Sequence, residues 1–117
     1  MMLAIDVSVD ESVTMAAETV ASSFETEANP LYGIINNAGI GSSSIGLEST
    51  LQVNTWGIHR VCEAFIPLLE ASGRVVNVTS AAGPNFVEAA DDVTRTMLTD
   101  PDAVSYTHLT LPTMFEV

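Results

Sequence analysis

The sequence predicts an α/β protein on a partial doubly wound parallel sheet, with about three strands and two to three helices. Three observations carry that expectation. Short apolar runs at Leu3–Val7, within Leu31–Gly41 and at Arg74–Thr79 have the length of buried strands. Apolar stripes at helical spacing separate them. The central run, LYGIINNAGIG, closes on two asparagines, an alanine and glycines. That spelling marks a strand whose carboxyl end opens into a tight loop, where open α/β sheets bind ligands.

In chain order, Leu3-Ala4-Ile5 ending at Asp6-Val7 reads as the first strand. Ser8-Val9-Asp10-Glu11 has the form of a capping box, with Ser8 and Glu11 satisfying orphan amides at a helix start. Val13, Ala16, Ala17, Val20 and Phe24 follow at helical spacing, and Asn29-Pro30 ends the helix.

The central strand comes next. Ala38 and Gly39 carry almost no side chain, so a ring or sugar can approach the backbone there, while Asn36 and Asn37 can bridge strand ends through their amides. An ordinary strand-to-loop turn is the alternative left open by this spelling. Gly41-Ser42-Ser43-Ser44 with Gly46 reads as a loop, because its glycines match neither dinucleotide nor P-loop phosphate spacing.

A second helix is predicted from about Glu48 to Glu70, with Ile58, Val61, Cys62, Phe65 and Leu69 on its buried face. Cys62 is then a core residue, and His59 faces solvent off the stripe. Pro67 kinks the last turns and Ser72-Gly73 closes the helix. Arg74–Thr79 is the third strand, ending at Ser80, and makes a parallel crossover with the second. Asn85–Asp102 reads as an irregular or weakly helical acidic segment.

Charge narrows the partners. Fifteen acidic residues against three arginines and no lysine give a formal charge of −12. No basic stripe exists to neutralise phosphates, so nucleic acid and anionic membranes are disfavoured. One cysteine cannot form an internal disulfide, which suits a reducing compartment, and no zinc cluster or metal site is expected. With no signal peptide pattern and no apolar window approaching about 18 residues, the expected location is the cytoplasm.

Three stretches together resemble the short-chain dehydrogenase/reductase family. They are Asn37-Ala38-Gly39 after a strand, Val53-Asn54-Thr55-Trp56-Gly57 entering a helix, and Arg74–Ser80 followed by Ala81-Ala82-Gly83. The resemblance covers roughly Leu3 to Gly83, and Val53–Val87 looks closest to carbonyl-reductase-like members. It implies the central part of a Rossmann-like NAD(P)-binding domain over 1–83, an acidic insertion-like segment over 84–104, and a non-family tail over 105–117 that resembles cloning-adaptor read-through.

The implied activity is hydride transfer between a nicotinamide and a carbonyl or secondary alcohol carbon, with NADPH favoured over NADH. By position, Ser80 would hold and polarise the substrate oxygen, and Asn54 would maintain a water-linked proton relay. Asp6 and Val7 would meet the adenine, Asn37, Ala38 and Gly39 would line the ribose and adenine side, and Val78 would pass near the nicotinamide. The substrate would be a small carbonyl or alcohol, and the parent a monomer or homo-oligomer.

The family pattern is incomplete here. The Gly-rich phosphate turn is absent, and Tyr106 is followed by Thr107-His108-Leu109-Thr110 in a chain without lysine, so no tyrosine–lysine pair exists to carry a proton. The resemblance also places the first strand at one edge of the sheet, separated from the central strand by two strands that are absent here, so it would lack its hydrogen-bonding neighbour, and unpaired buried amides cost about 1–3 kcal/mol each. The chain is therefore expected to be an inactive fragment of an oxidoreductase, with a non-catalytic nucleotide- or protein-binding module as the alternative.

Overall fold

The computed structural model describes residues 1–24, 29–41 and 44–100. Among them the chain divides into two compact units, one up to Asn77 and one from Val78 onward. Ser42, Ser43, Tyr106 and the rest of the tail lie outside the described residues.

The first helix, α1, spans Asp10–Ser23, and its buried residues Val13, Ala16, Ala17 and Val20 form the predicted stripe, whereas Phe24, expected to continue it, is the C-cap and exposed. Its start differs from expectation. Val9 takes the N-cap position with extended backbone and no side-chain cap. Ser8 is diverted instead: its N–H and its hydroxyl both donate to Oδ1 of Asp6, at 2.9 and 2.6 Å. A short acidic side chain that folds its own following backbone into a turn outcompetes the capping box.

The expected first strand does not form. Leu3–Asp6 have no regular structure, Val7-Ser8 is a turn, and the described residues hold two strands rather than three. A strand is defined by a partner's ladder, and none runs beside Leu3–Val7.

Strand β1, Leu31–Asn36, pairs in parallel with β2, Leu69–Asn77. From Gly33↔Arg74 to Asn36↔Asn77 the register is regular, whereas Leu31 opposes Leu69, so β2 carries extra residues near its start. Gly73 sits in that irregularity, where an added Cβ would fall 2.9 Å from the carbonyl oxygen of Glu70. A side chain there would force the bulge apart.

The predicted long helix between the strands is shorter and broken. Helix α2 spans Leu47–Asn54 and α3 spans Trp56–Phe65, separated at Thr55 (φ −119°, ψ −67°). Val53, Asn54 and Thr55 are weak helix formers, and the Asn54 side chain is engaged elsewhere. At the other end Pro67 removes the amide that would continue the ladder, and a 3₁₀ turn over Ile66–Leu68 delivers the chain directly into β2. The side chain of Asn29 donates to the Pro67 carbonyl at 2.8 Å and holds that turn. Ser72-Gly73 thus lies inside a strand rather than closing a helix.

The core joins α1, β1 and α3: Val13, Ala16, Ala17, Val20, Ile34 and Phe65, with Leu3, Leu31, Val61 and Val75 packed against it. Cys62 is fully buried, as its place on the stripe predicts. His59 is half-covered rather than solvent-facing, edge-on to Trp56 and 3.4 Å from Glu63.

In the second unit the segment expected to be irregular or weakly helical takes the helical alternative, with α4 over Ala82–Ala89 and α5 over Asp92–Thr99. Asp91 caps α5, accepting from the Thr94 amide at 2.8 Å. Those bonds from Thr94 hold the Asp91 carboxyl below its ordinary pKa. From α5, Arg95 donates to the carbonyls of Val87, Glu88 and Ala90 at 3.3, 3.0 and 2.9 Å, satisfying the end of α4.

Candidate functional site

The site is built on the carboxyl end of β1. Asn36, the last strand residue, is buried, and its Nδ2 donates to Oδ1 of Asn77 at 2.8 Å and to Sγ of Cys62 at 3.5 Å. One amide thereby ties the ends of both strands to α3. Burial pushes the Cys62 thiol up from its ordinary pKa, partly opposed by the Asn36 bond.

Beyond Asn36 the loop is held from α2. Asn54 grips the backbone of Ile40 at two points: Oδ1 accepts from its N–H at 2.8 Å, and Nδ2 donates to its C=O at 2.7 Å. The pairing copies the two-point geometry of a strand ladder with a side chain, and it fixes Ala38–Ile40 without blocking their outer surface. An added Cβ on Gly39 would meet only Asn54 Oδ1, at 3.5 Å.

Asp6 and Val7 approach the same loop from the amino-terminal segment. A cavity of about 410 Å³ runs along β1, bordered by Val7, Asn36, Asn37 and Ala38. Another of about 500 Å³ is lined by Asp6, Ile40, Glu48, Gln52 and Val53. Both Ser8 bonds fall on Oδ1 of Asp6, and they lower its carboxyl pKa, the side-chain bond first and the amide second. An ionised acceptor therefore borders a cavity above a loop of small residues. Asp6 thus lines one of these cavities, and Val7 with Ala38 the other. The described residues contain no glycine-rich helix start for a pyrophosphate.

Asp6, Val7, Asn37, Ala38, Gly39 and Asn54 thus gather in the first unit, around one strand end. Val78 and Ser80 belong to the second unit. Val78 is exposed, and Ser80 Oγ accepts from the Ala82 amide at 3.2 Å just before α4.

Two neighbours of the site were given no role from the sequence, although Gly57 closes the Val53–Gly57 motif. Gly57 lies in α3 directly against Val7, where a Cβ would come within 2.9 Å of Val7 Cγ2. Arg60 bridges three segments through Asp10, Gln52 and the Val7 carbonyl. A glycine inside a predicted helix, at about 1 kcal/mol against alanine, is the signal that could have flagged the close approach. Nothing in the local sequence announces the partners of Arg60, which lie up to 53 positions away.

Comparison with known proteins agrees with this architecture. The family profile described as short chain dehydrogenase matches residues 1–90. The mitochondrial D-beta-hydroxybutyrate dehydrogenase of Bos taurus is 42% identical over 81 residues, covering 62% of this chain and 24% of that protein. The 3beta-hydroxysteroid dehydrogenase dhs-16 of Caenorhabditis elegans is 39% identical over 90 residues, covering 69% of this chain and 23% of its own length. The chain therefore spans about a quarter of the curated relatives it matches.

Among solved structures, the NADPH-bound carbonyl reductase from chicken fatty liver superposes with a TM-score of 0.60 at 21% identity, covering 97% of this chain and 48% of that one. A blue fluorescent protein from a metagenomic library, in complex with NADPH, gives 0.55 at 21% identity, over 68% and 34% of the two chains. With the profile spanning most of its length, the chain belongs to the short-chain dehydrogenase family.

Proposed function

We propose that this chain is the central part of an NAD(P)-dependent oxidoreductase that moves a hydride between a nicotinamide and a carbonyl or secondary alcohol carbon. The observation that carries the reading is the two-point grip of Asn54 on Ile40, which holds Ile40 at the cavity edged by Asp6, two residues after the Ala38 that borders the cavity edged by Val7. A bound nicotinamide cofactor supplies or accepts the hydride; the relatives' names as dehydrogenases and the NADPH in both similar structures support that choice, NADPH first.

In this reading Asp6 accepts from the adenine amino group, Val7 covers the ring, and Asn37, Ala38 and Gly39 line the ribose side. Val78 stands near the nicotinamide. Ser80, an acceptor toward Ala82, retains its own O–H to donate to the substrate oxygen as negative charge develops there. Asn54 spends one lone pair of Oδ1 and one N–H of Nδ2 on Ile40 and keeps a second of each, with which it maintains the water of a proton relay. The chain alone is inactive, because it contains no lysine to pair with a tyrosine acid. Among the described residues no helix is long and apolar enough to cross a membrane. With the acidic charge and the buried thiol this favours a soluble parent in a reducing compartment, the cytoplasm first, acting on small molecules.

The test is a titration of the chain with NADPH, followed by backbone amide resonances. Shifts concentrated at Asp6, Val7 and Asn37–Ile40 are expected, and no shift at millimolar cofactor sinks the reading. In the full-length parent, Ser80→Ala should lower kcat by about 10²–10³-fold with little change in cofactor affinity.

A further inference from the structure

The segment that carries Asp6 and Val7 has no ladder to hold it, so something else must set its position. Its own turn contributes: the Asp6 N–H donates to Ser12 Oγ at 2.8 Å and the Val9 N–H to the Asp6 carbonyl at 3.2 Å. Those bonds tie the segment to the start of α1 but not to the elements around the site.

Attachment comes from α3. The Val7 side chain rests on the bare backbone of Gly57. One turn further along, the Arg60 guanidinium reaches three segments. Nη1 donates to the Val7 carbonyl at 3.4 Å and to the Gln52 carbonyl at 3.1 Å, Nη2 donates to Gln52 Oε1 at 2.7 Å, and Nε pairs with Asp10. The Arg60 side chain is only 20% exposed, so its bonds to Val7 and Gln52 are partly shielded from competing water, while the Asp10 partner is exposed.

We propose that Arg60 is a positioning residue for the adenosine side of the site. It substitutes for the missing strand ladder, fixing Asp6 and Val7 against α2 and the Ala38–Ile40 loop. The planar fork is what the task requires, since one rigid group must address a carbonyl on the segment, an acid on α1 and two acceptors on α2 at once. Lysine offers a point charge and cannot span them. The role rests on the proposed dinucleotide reading and names the residue that tunes it.

The test compares the full chain with Arg60→Met and Arg60→Lys in two measurements. Hydrogen exchange without ligand should quicken at the amides of Asp6 and Val9 in both variants, with α1 unchanged beyond its first turn. Adenosine monophosphate should then bind about tenfold more weakly, while nicotinamide mononucleotide changes by less than about twofold. Gly57→Ala, which displaces Val7 by another route, should give the same selective loss. Should Arg60→Met not fold, Gln52→Ala removes the one of the four bonds that a side chain on α2 accepts and carries the same comparison.

Equal weakening of both nucleotides overturns the proposal, since it would reflect general loosening, and so does unchanged exchange with unchanged affinity. If the unaltered chain binds neither nucleotide, the dinucleotide reading itself fails. If it binds both and the variants bind equally well, only the role of Arg60 fails.

Discussion

Leu3–Val7 and Leu31–Asn36 are both short apolar runs with a polar residue at or next to their carboxyl end, yet only the second is a strand. Their side chains do not explain the difference. β1 has β2 beside it, with four consecutive residues in regular register and an Asn36–Asn77 bond closing the end. The amino-terminal run has no neighbour, and its polar backbone is served by Ser12, its own turn and Arg60. Strand structure is a property of pairs, and an apolar run supplies only half of one.

The sharpest way to break this contrast is to truncate one isoleucine in each run. Ile34 is 8% exposed within the core, and Ile34→Ala should cost about 2–5 kcal/mol in chemical denaturation. Ile5 is 41% exposed, and Ile5→Ala should cost less than about 1 kcal/mol. Equal losses would mean that the first run is packed as a strand is.

Asn36→Leu tests the closing bond. It removes a buried donor and leaves Asn77 facing an apolar group, so a loss of about 1–3 kcal/mol is expected, with amide exchange rising at both strand ends. Asn54→Ala should act more locally, exposing the Ile40 amide to exchange while β1 stays protected.

The smallest effect concerns the turn after the first run. Ser8→Ala removes the main interaction that lowers the Asp6 pKa, so the Asp6 titration followed by NMR should move up toward the ordinary carboxylate value. In the unaltered chain the folded carboxyl is the stronger acid. The turn's contribution is therefore complete above the ordinary carboxylate range and lost as pH falls through the lowered pKa. A titration unmoved by Ser8→Ala would show that the turn does not hold Asp6.

Much of this molecule is readable from its residues. The α1 stripe, the burial of Cys62, the central strand with its loop and the third strand all follow from periodicity and spelling, because each depends on neighbours close in sequence. The failures have a common cause. The Ser8 capping box lost to Asp6, the long helix broke where Asn54 turned toward Ile40, and the first strand lacked a ladder. Each outcome was decided by a competing partner that local pattern does not show. The candidate site divides the same way. Ala38, Gly39, Asn54 and Gly57 were legible as motif, whereas the packing of Gly57 on Val7 and the bonds of Arg60 entered only through contacts made in three dimensions.

The buried thiol of Cys62 has a consequence for how this unit can be followed in solution. It is 0% exposed, held by Asn36 and disfavoured as a thiolate, so a disulfide reagent can reach it only when α3 lifts from the strand ends. The chain thus carries its own opening clock: the labelling rate of its single cysteine reads how often the floor of the site comes apart.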